Sequence, residues 1–469
     1  MSVPKLEETL EREIKLSPGA SFTMPDLGGE ALEPRVFVST YHDTPDHLLA
    51  RSGLTLRHRV EHGRGLWQLK LPAGDARLEL EEEGPARPVP PRIAALLHAF
   101  LRRRKLVPVA RLRTRRDGVR VDGAEVVHDS VSVLDGRRVE RTFEELEVEL
   151  VEGDERTLRQ LEKALRRAGA AEGEPRPKLF RALDLSYGPE SHEPADGTAG
   201  SVLAAAFRVQ HARILAHDPG TRLGADPESL HDLRVATRRL RAFLRAGRPL
   251  LEPAWADELR EELGWLGAAL GPARDLDVLV DHLRREAASL GGDDAAGAEI
   301  ILAALGKERR AARRRLVRAL EDARYDALLD RLEAAGDPPL APAGDALPTL
   351  VDVWRSEHAR LRKAVRALGA EPADAALHAV RIKVKRARYA AELAGLDGYV
   401  RGAKALQDVL GEHQDAVVAE GRLRALAASD PEARVAAGRL VERERVRQDR
   451  AKAGWGRRWS ALAKQAKKA

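Results

Sequence analysis

Glu11-Arg12-Glu13-Ile14-Lys15, read as an extended strand, puts Glu11, Glu13 and Lys15 on one face and Arg12 and Ile14 on the other. Two carboxylates and a lysine side by side make a poor core. They make a good site for a divalent ion beside a phosphate, because hard cations prefer carboxylate oxygens and keep phosphate oxygens as remaining ligands. The alternation recurs outward from this point, in Leu54-Thr55-Leu56-Arg57-His58-Arg59-Val60, in Leu66-Trp67-Gln68-Leu69-Lys70-Leu71 and in Leu146-Glu147-Val148-Glu149-Leu150. Arg77 with Glu79 and Glu81, the row Arg111, Arg113 and Arg115, and Glu145 in phase with Glu147 and Glu149 follow the same rule. A solvated antiparallel sheet can alternate in this way. Five or six strands whose second faces all carry acid and base together fit a closed barrel that lines its own lumen. Helices are expected at 91–104 and 155–168.

The chain has 469 residues, enough for two or three domains at about 100–200 residues each. Cysteine is absent, which excludes disulfides, thiolate metal sites and cysteine nucleophiles. Aromatics are only 4% of the residues, so base-stacking platforms are not expected and nucleic acid is a poor candidate ligand. Residues 1–190 carry 32 basic and 33 acidic groups, whereas residues 191–469 carry 48 and 41. The excess positive charge thus belongs to the second part, which points to a polyanion: nucleic acid, an anionic membrane surface or a phosphate polymer. Neither a signal-peptide pattern in Met1 to Leu16 nor a run of about 18 apolar residues is present, so a soluble cytoplasmic protein is expected.

Residues 184–201 form an aperiodic cluster of Gly, Pro and Ser that reads as a linker. Beyond it the composition is that of helices, broken at 247–253, at 291–297 and at the proline-rich 336–348. The two helical halves repeat each other. His231-Asp232-Leu233-Arg234-Val235-Ala236-Thr237-Arg238-Arg239-Leu240-Arg241 matches the segment from His378 to Arg388 at its first, fourth, eighth, ninth and eleventh places, and Leu270-Gly271 to Asp275 matches Leu410-Gly411 to Asp415. On a helix His231, Arg234, Arg238, Arg241 and Arg245 fall within an arc of about 80°. Like charges at this spacing repel unless an anion lies on them.

This repeat resembles the CHAD domain, the conserved-histidine α-helical family, whose signature is two His-led basic helices. The resemblance implies two four-helix bundles related by pseudo-twofold symmetry and a ligand of inorganic polyphosphate. It assigns that polymer to His231, Arg234, Arg238, Arg239, Arg241 and Arg274, and to His378, Arg381, Lys385, Arg386, Arg388 and His413, with Tyr389 inside the second motif.

The alternating strands, opened by Glu11-x-Glu13-x-Lys15, resemble the CYTH superfamily, the triphosphate tunnel metalloenzymes, over about residues 5–185. Tyr41-His42-Asp43-Thr44-Pro45, the pair Arg57 and Arg59, Trp67 to Lys70, Glu145-Leu146-Glu147-Val148-Glu149 and Lys178 carry the likeness. The fold class implied is α+β multidomain: an antiparallel eight-stranded β tunnel with flanking helices at 1–185, a linker at 186–200, and an all-α domain at 201–469 with halves 201–335 and 349–469. The resemblance implies hydrolysis of a phosphoanhydride with Mg²⁺ or Mn²⁺. Glu11, Glu13, Glu147 and Glu149 would serve metal and attacking water, with Asp129 joining the metal shell and Lys15 beside them. Lys15, Arg57, Arg59, Lys70, Arg77, Arg113, Arg115 and Lys178 would neutralise the phosphates, the choice among Arg111, Arg113 and Arg115 staying open. A serine often precedes the final lysine in this family, and here it is Pro177.

No phosphate-binding Gly-rich loop and no dinucleotide fingerprint occurs. Two classes remain: a metal-dependent triphosphatase acting on inorganic triphosphate or a short polyphosphate, held on long-chain polyphosphate by the helical part and so associated with polyphosphate granules, or a binding protein without turnover. Adenylate cyclase activity, known in the superfamily, finds no evident adenine pocket. The basic tail, with Arg457, Arg458, Lys464, Lys467 and Lys468, reads as a solvated helix end, and no membrane partner is expected.

Overall fold

Period-two alternation and helical periodicity divide the chain where the composition does. The computed structural model describes residues 6–73, 76–152, 154–186, 193–342, 347–369 and 371–469. Of the expected linker, 187–192 lie outside the described residues, as do 343–346 of the proline-rich break. Contacts separate the chain into two compact units that meet between residues 191 and 192, and each is taken by itself.

Unit 1 is an antiparallel sheet of ten strands: β1 (Glu7–Glu11), β2 (Glu13–Pro18), β3 (Glu30–Asp43), β4 (Thr55–Glu61), β5 (Arg64–Ala73), β6 (Ala76–Glu83), β7 (Val107–Val121), β8 (Ala124–Asp135), β9 (Arg138–Leu150) and β10 (Ala170–Glu172). Their order is β1-β6-β5-β4-β3-β7-β8-β9-β2-β10. The count of ten corrects the expected eight, for two local reasons. The first strand changes partner at Arg12, its leading half pairing with β6 and its trailing half with β9, while Leu150 N–H donates to Arg12 O across the joint at 2.9 Å. The three-residue β10 adds an edge against Leu16, Ser17 and Pro18. The partner change has a larger consequence: one continuous segment ties the two ends of the sheet together, so the sheet closes and one face of every strand turns inward.

Short helices complete the unit: α1 (Leu48–Arg51), α2 (Pro91–Leu96), α3 (His98–Leu101), α4 (Glu155–Arg167) and α5 (Lys178–Leu183). Asp154 caps α4, accepting from Arg156 N–H at 2.8 Å. Leu158, Leu161 and Leu165 of α4 then bury against Leu16, Val121, Ala124, Val126, Leu146 and Val148 on the outside of the barrel. Full burial of each leucine contributes about 2 kcal/mol. Across the interior at one end, α5 packs Leu179 and Phe180 against Tyr41, Leu112, Val131 and Val133. The segment after β3 turns on Asp43, fully buried, whose carboxylate accepts from the backbone of Thr44 (2.7 Å), Leu49 (2.8 Å) and Ala50 (2.9 Å).

Unit 2 is helical: α6 (Ala199–Leu223), α7 (Pro227–Gly247), α8 (Pro253–Ala287), α9 (Gly292–Leu320), α10 (Ala323–Ala334), α11 (Leu350–Arg366), α12 (Asp374–Leu393), α13 (Asp397–Ser429) and α14 (Arg434–Gln465). Helices α6 to α9 pack on their sequence neighbours, as do α11 to α14, while α7 also packs on α12 and α9 on α14. Helix α10 packs on α6 and α8. The break expected at 291–297 ends earlier: α9 already starts at Gly292, and Gly297 lies within it, where a Cβ would stand 3.0 Å from Ala436 Cβ.

Replacing Asp43 by Ala orphans three buried N–H groups. It is expected to lower unfolding free energy by about 2–4 kcal/mol in urea denaturation followed by tryptophan fluorescence.

Candidate functional site

Strand parity decides what enters the barrel. On β2 and β9, Leu16, Leu146 and Val148 face α4, so Glu13, Lys15, Glu145, Glu147 and Glu149 face the lumen. Glu13 is the register partner of Glu149, and Lys15 of Glu147. Residues Glu11, Glu13, Lys15, Arg57, Arg59, Lys70, Arg77, Glu147, Glu149 and Lys178 line one cavity of about 190 Å³, shared with Arg35, Glu79, Glu81 and Arg116. Through Arg35, Arg59, Arg116 and Glu125 it continues into a wider mouth of about 740 Å³.

At the closed end the lumen is densely paired. Lys178, delivered by the first turn of α5, reaches Glu147 (2.6 Å), Glu145 (2.8 Å) and Asp129 (3.1 Å), and Lys15 lies 3.2 Å from both Glu145 and Glu147. Burial opposes the charge on both lysines, yet the surrounding carboxylates outweigh it and hold both above the ordinary lysine value. Burial also pushes on Glu147, but Lys178, Lys15 and Arg116 keep its carboxyl well below the usual range, whereas burial wins at Glu145. Lys70 grips Glu11 through both oxygens (2.5 and 2.6 Å). Arg57 donates to Gln68 Oε1 (2.7 Å) and to the Tyr41 hydroxyl (3.3 Å).

Two groups in this lattice, Glu149 and Arg59, are pushed towards their neutral forms. Glu149 makes no side-chain hydrogen bond or ion pair among the described residues, and burial with Glu11 nearby pushes its carboxyl up to about 7. Arg59 lies 3.9 Å from Glu61, and burial, then Arg57 and Arg35, lower it to about 10. A half-buried carboxylate with no ion-pair partner, facing Glu13 and near Glu11, is an all-oxygen donor set suited to a hard divalent ion. Among the described residues, no three acids or histidines already stand grouped as metal ligands.

Three expected residues lie elsewhere. Arg113 and Arg115, like Arg111, are exposed on the outer face, because Leu112 and Thr114 between them are buried and take the inner parity. The guanidinium that does enter is Arg116, one residue further on, which holds Asp129 bidentately (2.7 and 2.7 Å) and Glu147 (2.7 Å). Asp129, fully buried between Arg116 and Lys178, is their counter-ion and has no oxygen free of a cation to offer a metal. The apolar parity of Leu112 and Thr114 was the signal that separated Arg116 from its neighbours. Arg35, tied to Glu61 by two 2.6 Å bonds, and Gln68 complete the lining.

In unit 2 the two basic stripes meet. Arg238 of α7 donates to the Tyr389 hydroxyl of α12 (3.0 Å), and Arg239 to Glu392 (2.9 Å). Arg388 lies over the Tyr389 ring at 4.5 Å and 3.8 Å from Glu392. Lys385 is lowered to about 8 by burial and then by Arg381, Arg238 and Arg234, while Asp415 acts in the opposite sense. Burial, then Arg386, likewise lowers Arg245. Arg241 passes 3.5 Å from the site of a Cβ on Gly264. The buried Nε atoms of Arg381 and Arg388 have no hydrogen-bond partner. His378 Nδ1 lies 2.7 Å from Gln414 Oε1, and burial, then Arg274, lowers His231. Arg274 and His413 brace the helix ends: Arg274 donates to Pro227 O (3.1 Å) and Glu228 (3.2 Å) at the start of α7, and His413 Nε2 lies 3.1 Å from Asp374 at the start of α12.

An acid-base lumen and a pair of packed basic helices define a two-domain protein built around charge. A CYTH domain matches residues 9–178 and a CHAD domain residues 205–424. Two uncharacterized proteins of Mycobacterium tuberculosis, MT2285 of strain CDC 1551 / Oshkosh and Rv2226 of strain H37Rv, are each 32% identical over 477 residues, 90% of this chain and 90% of theirs. The CHAD domain from the plant Ricinus communis is 26% identical, spans 59% of this chain and 97% of its own, and superposes with a TM-score of 0.48. PptA from Streptomyces chartreusis is 24% identical over 56% of this chain and 99% of its own, with a TM-score of 0.47. The chain belongs to the family in which a CYTH domain is followed by a CHAD domain.

Replacing Arg116 by Ala strands Asp129 and Glu147 and is expected to cost about 3–5 kcal/mol. Replacing Arg113 by Ala is expected to change stability by no more than about 0.5 kcal/mol. Chemical denaturation of both variants checks the parity assignment.

Proposed function

We propose that residues 1–185 form a Mg²⁺- or Mn²⁺-dependent hydrolase of inorganic triphosphate or a related short polyphosphate. A linker at 186–200 would join it to a domain at 201–469, two pseudo-twofold-related bundles that hold long-chain polyphosphate. The observation carrying this reading is the lumen, where Glu11, Glu13 and Glu149 share one cavity with Lys15, Arg57, Arg59, Lys70, Arg77, Arg116 and Lys178. CYTH proteins include triphosphatases and cyclases and are generally dependent on a divalent metal, which supports an enzyme.

Glu11, Glu13 and Glu149 are the residues to hold the metal, which when bound supplies Lewis acidity toward a phosphoryl oxygen. The cations do the rest by position. Arg59 and Arg57 meet the chain on the side of the wide mouth, Lys70 and Arg77 flank it, and Lys15, Arg116 and Lys178 meet it at the closed end. Glu145 and Glu147 fix those last three in place, so charge developing on the leaving phosphate finds donors that need no reorganisation. The closed end also keeps bulk water away, leaving the carboxylates to orient the attacking water.

Orthophosphate release from inorganic triphosphate, ATP and long-chain polyphosphate, with Mg²⁺, with Mn²⁺ and with a chelator, tests the reading. Metal-dependent release from triphosphate that falls at least ~100-fold in Glu13→Ala and Glu149→Gln is expected. No release above those variants would leave a binding protein.

Lys385 gives the helical domain a pH signature. A polyanion favours its charged form, and the free protein loses that proton near pH 8 rather than near 10.5. Binding therefore takes up a proton, and affinity is expected to fall as pH rises from 7.5 to 9.5 by up to about tenfold per unit. Arg381, Arg238 and Arg234 face it with like charge and Asp415 with opposite charge, and a guanidinium in place of the amine keeps its charge across this range, so Lys385→Arg is expected to flatten the profile in fluorescence anisotropy.

A further inference from the structure

Each basic helix sets its fourth-place arginine in the same kind of notch. In α8, Gly271 and Asp275 stand one turn apart on one face, and in α13 Gly411 and Asp415 repeat the arrangement. A Cβ on Gly271 would meet only the Arg234 guanidinium, at 3.9 Å, and the nearest atoms to a Cβ on Gly411 all belong to the Arg381 guanidinium, from 3.4 Å. Asp275 accepts from Arg234 at 2.7 Å, and Asp415 is the foremost carboxylate acting on Arg381. Each arginine thus lies across a bare stretch of neighbouring helix, Arg234 bonded to Asp275 and Arg381 within the field of Asp415. A guanidinium has five N–H donors, and one bond to a carboxylate leaves most of them available.

We infer that Gly271 with Asp275 and Gly411 with Asp415 are positioning residues that hold Arg234 and Arg381 aimed at a phosphate chain, as two equivalent anchor points. The inference rests on the reading of this domain as a polyphosphate binder. Its physical basis is preorganisation: an arginine already seated loses little side-chain freedom when phosphate arrives. The opposing effect is repulsion between each carboxylate and the incoming anion. At Asp275 solvent weakens it, since that side chain is 65% exposed. The duplication argues for function, because both halves keep glycine, a poor helix former, at the same place under the same arginine.

Fluorescence anisotropy with labelled long-chain polyphosphate, run on the full chain at several salt concentrations, tests the inference. Asp275→Asn with Asp415→Asn is expected to weaken binding about tenfold. The slope of log affinity against log salt should become shallower by about 1–2, as phosphate contacts are lost. Gly271→Leu with Gly411→Leu fills the notches while favouring helix, so it should weaken binding with the thermal midpoint unchanged or raised, an outcome that loss of fold cannot imitate. Wild-type affinity and slope in both double variants would overturn the inference. A wild-type chain that binds no polyphosphate would instead overturn the reading on which it rests.

Discussion

A charge taken out of water must find its counter-charge within a few ångströms, and closure of the first unit's sheet imposes that demand on a whole strand face at once. Closure comes from a single event, the change of partner at Arg12 that joins β1 on β6 to β2 on β9. Once the ends are tied, parity assigns every side chain. Leu16, Leu146 and Val148 go outward beneath α4, and acid and base line the cavity in near balance. The lysines of the lumen are consequently held charged by carboxylates, and Glu147 is held ionised by Lys15, Lys178 and Arg116.

The balance is incomplete in two informative places. Glu149 has no ion-pair partner among the described residues, and Arg59 is a guanidinium crowded by Arg57 and Arg35. A metal and a phosphate chain arriving together would neutralise both. The helical unit shows the complementary case, in which Arg238 and Arg234 disfavour the charge of Arg381 and Lys385 and the Nε atoms of Arg381 and Arg388 have no hydrogen-bond partner.

Much of this was legible in the residues. The face shared by Glu11, Glu13 and Lys15 and the phase of Glu145, Glu147 and Glu149 follow from a period of two, and the repeated His-led helices from the match between the two halves. What escaped depended on tertiary facts. Arg111, Arg113 and Arg115 share one parity with Val119 and Val121, which α4 covers on the outside, so the row reads correctly only once that helix is placed. Asp129 looked like a ligand until Arg116 and Lys178 filled it. The strand count turned on a partner change at one residue and on a three-residue edge strand, neither of which leaves a mark on side-chain periodicity. Arg274 and His413 sat in the right repeat, but their reach to Glu228 and Asp374 depends on where the next helices begin.

The central claim is that the lumen is a site for a metal together with a phosphate chain. Thermal unfolding of the full chain with a non-hydrolysable imidotriphosphate, with Mn²⁺, and with both tests it most directly, since a ligand that binds only the folded state raises its midpoint by mass action. The account predicts a rise with both that exceeds the sum of the separate rises and disappears in Glu149→Gln. A midpoint indifferent to the pair, or a rise equal in the variant, would contradict it.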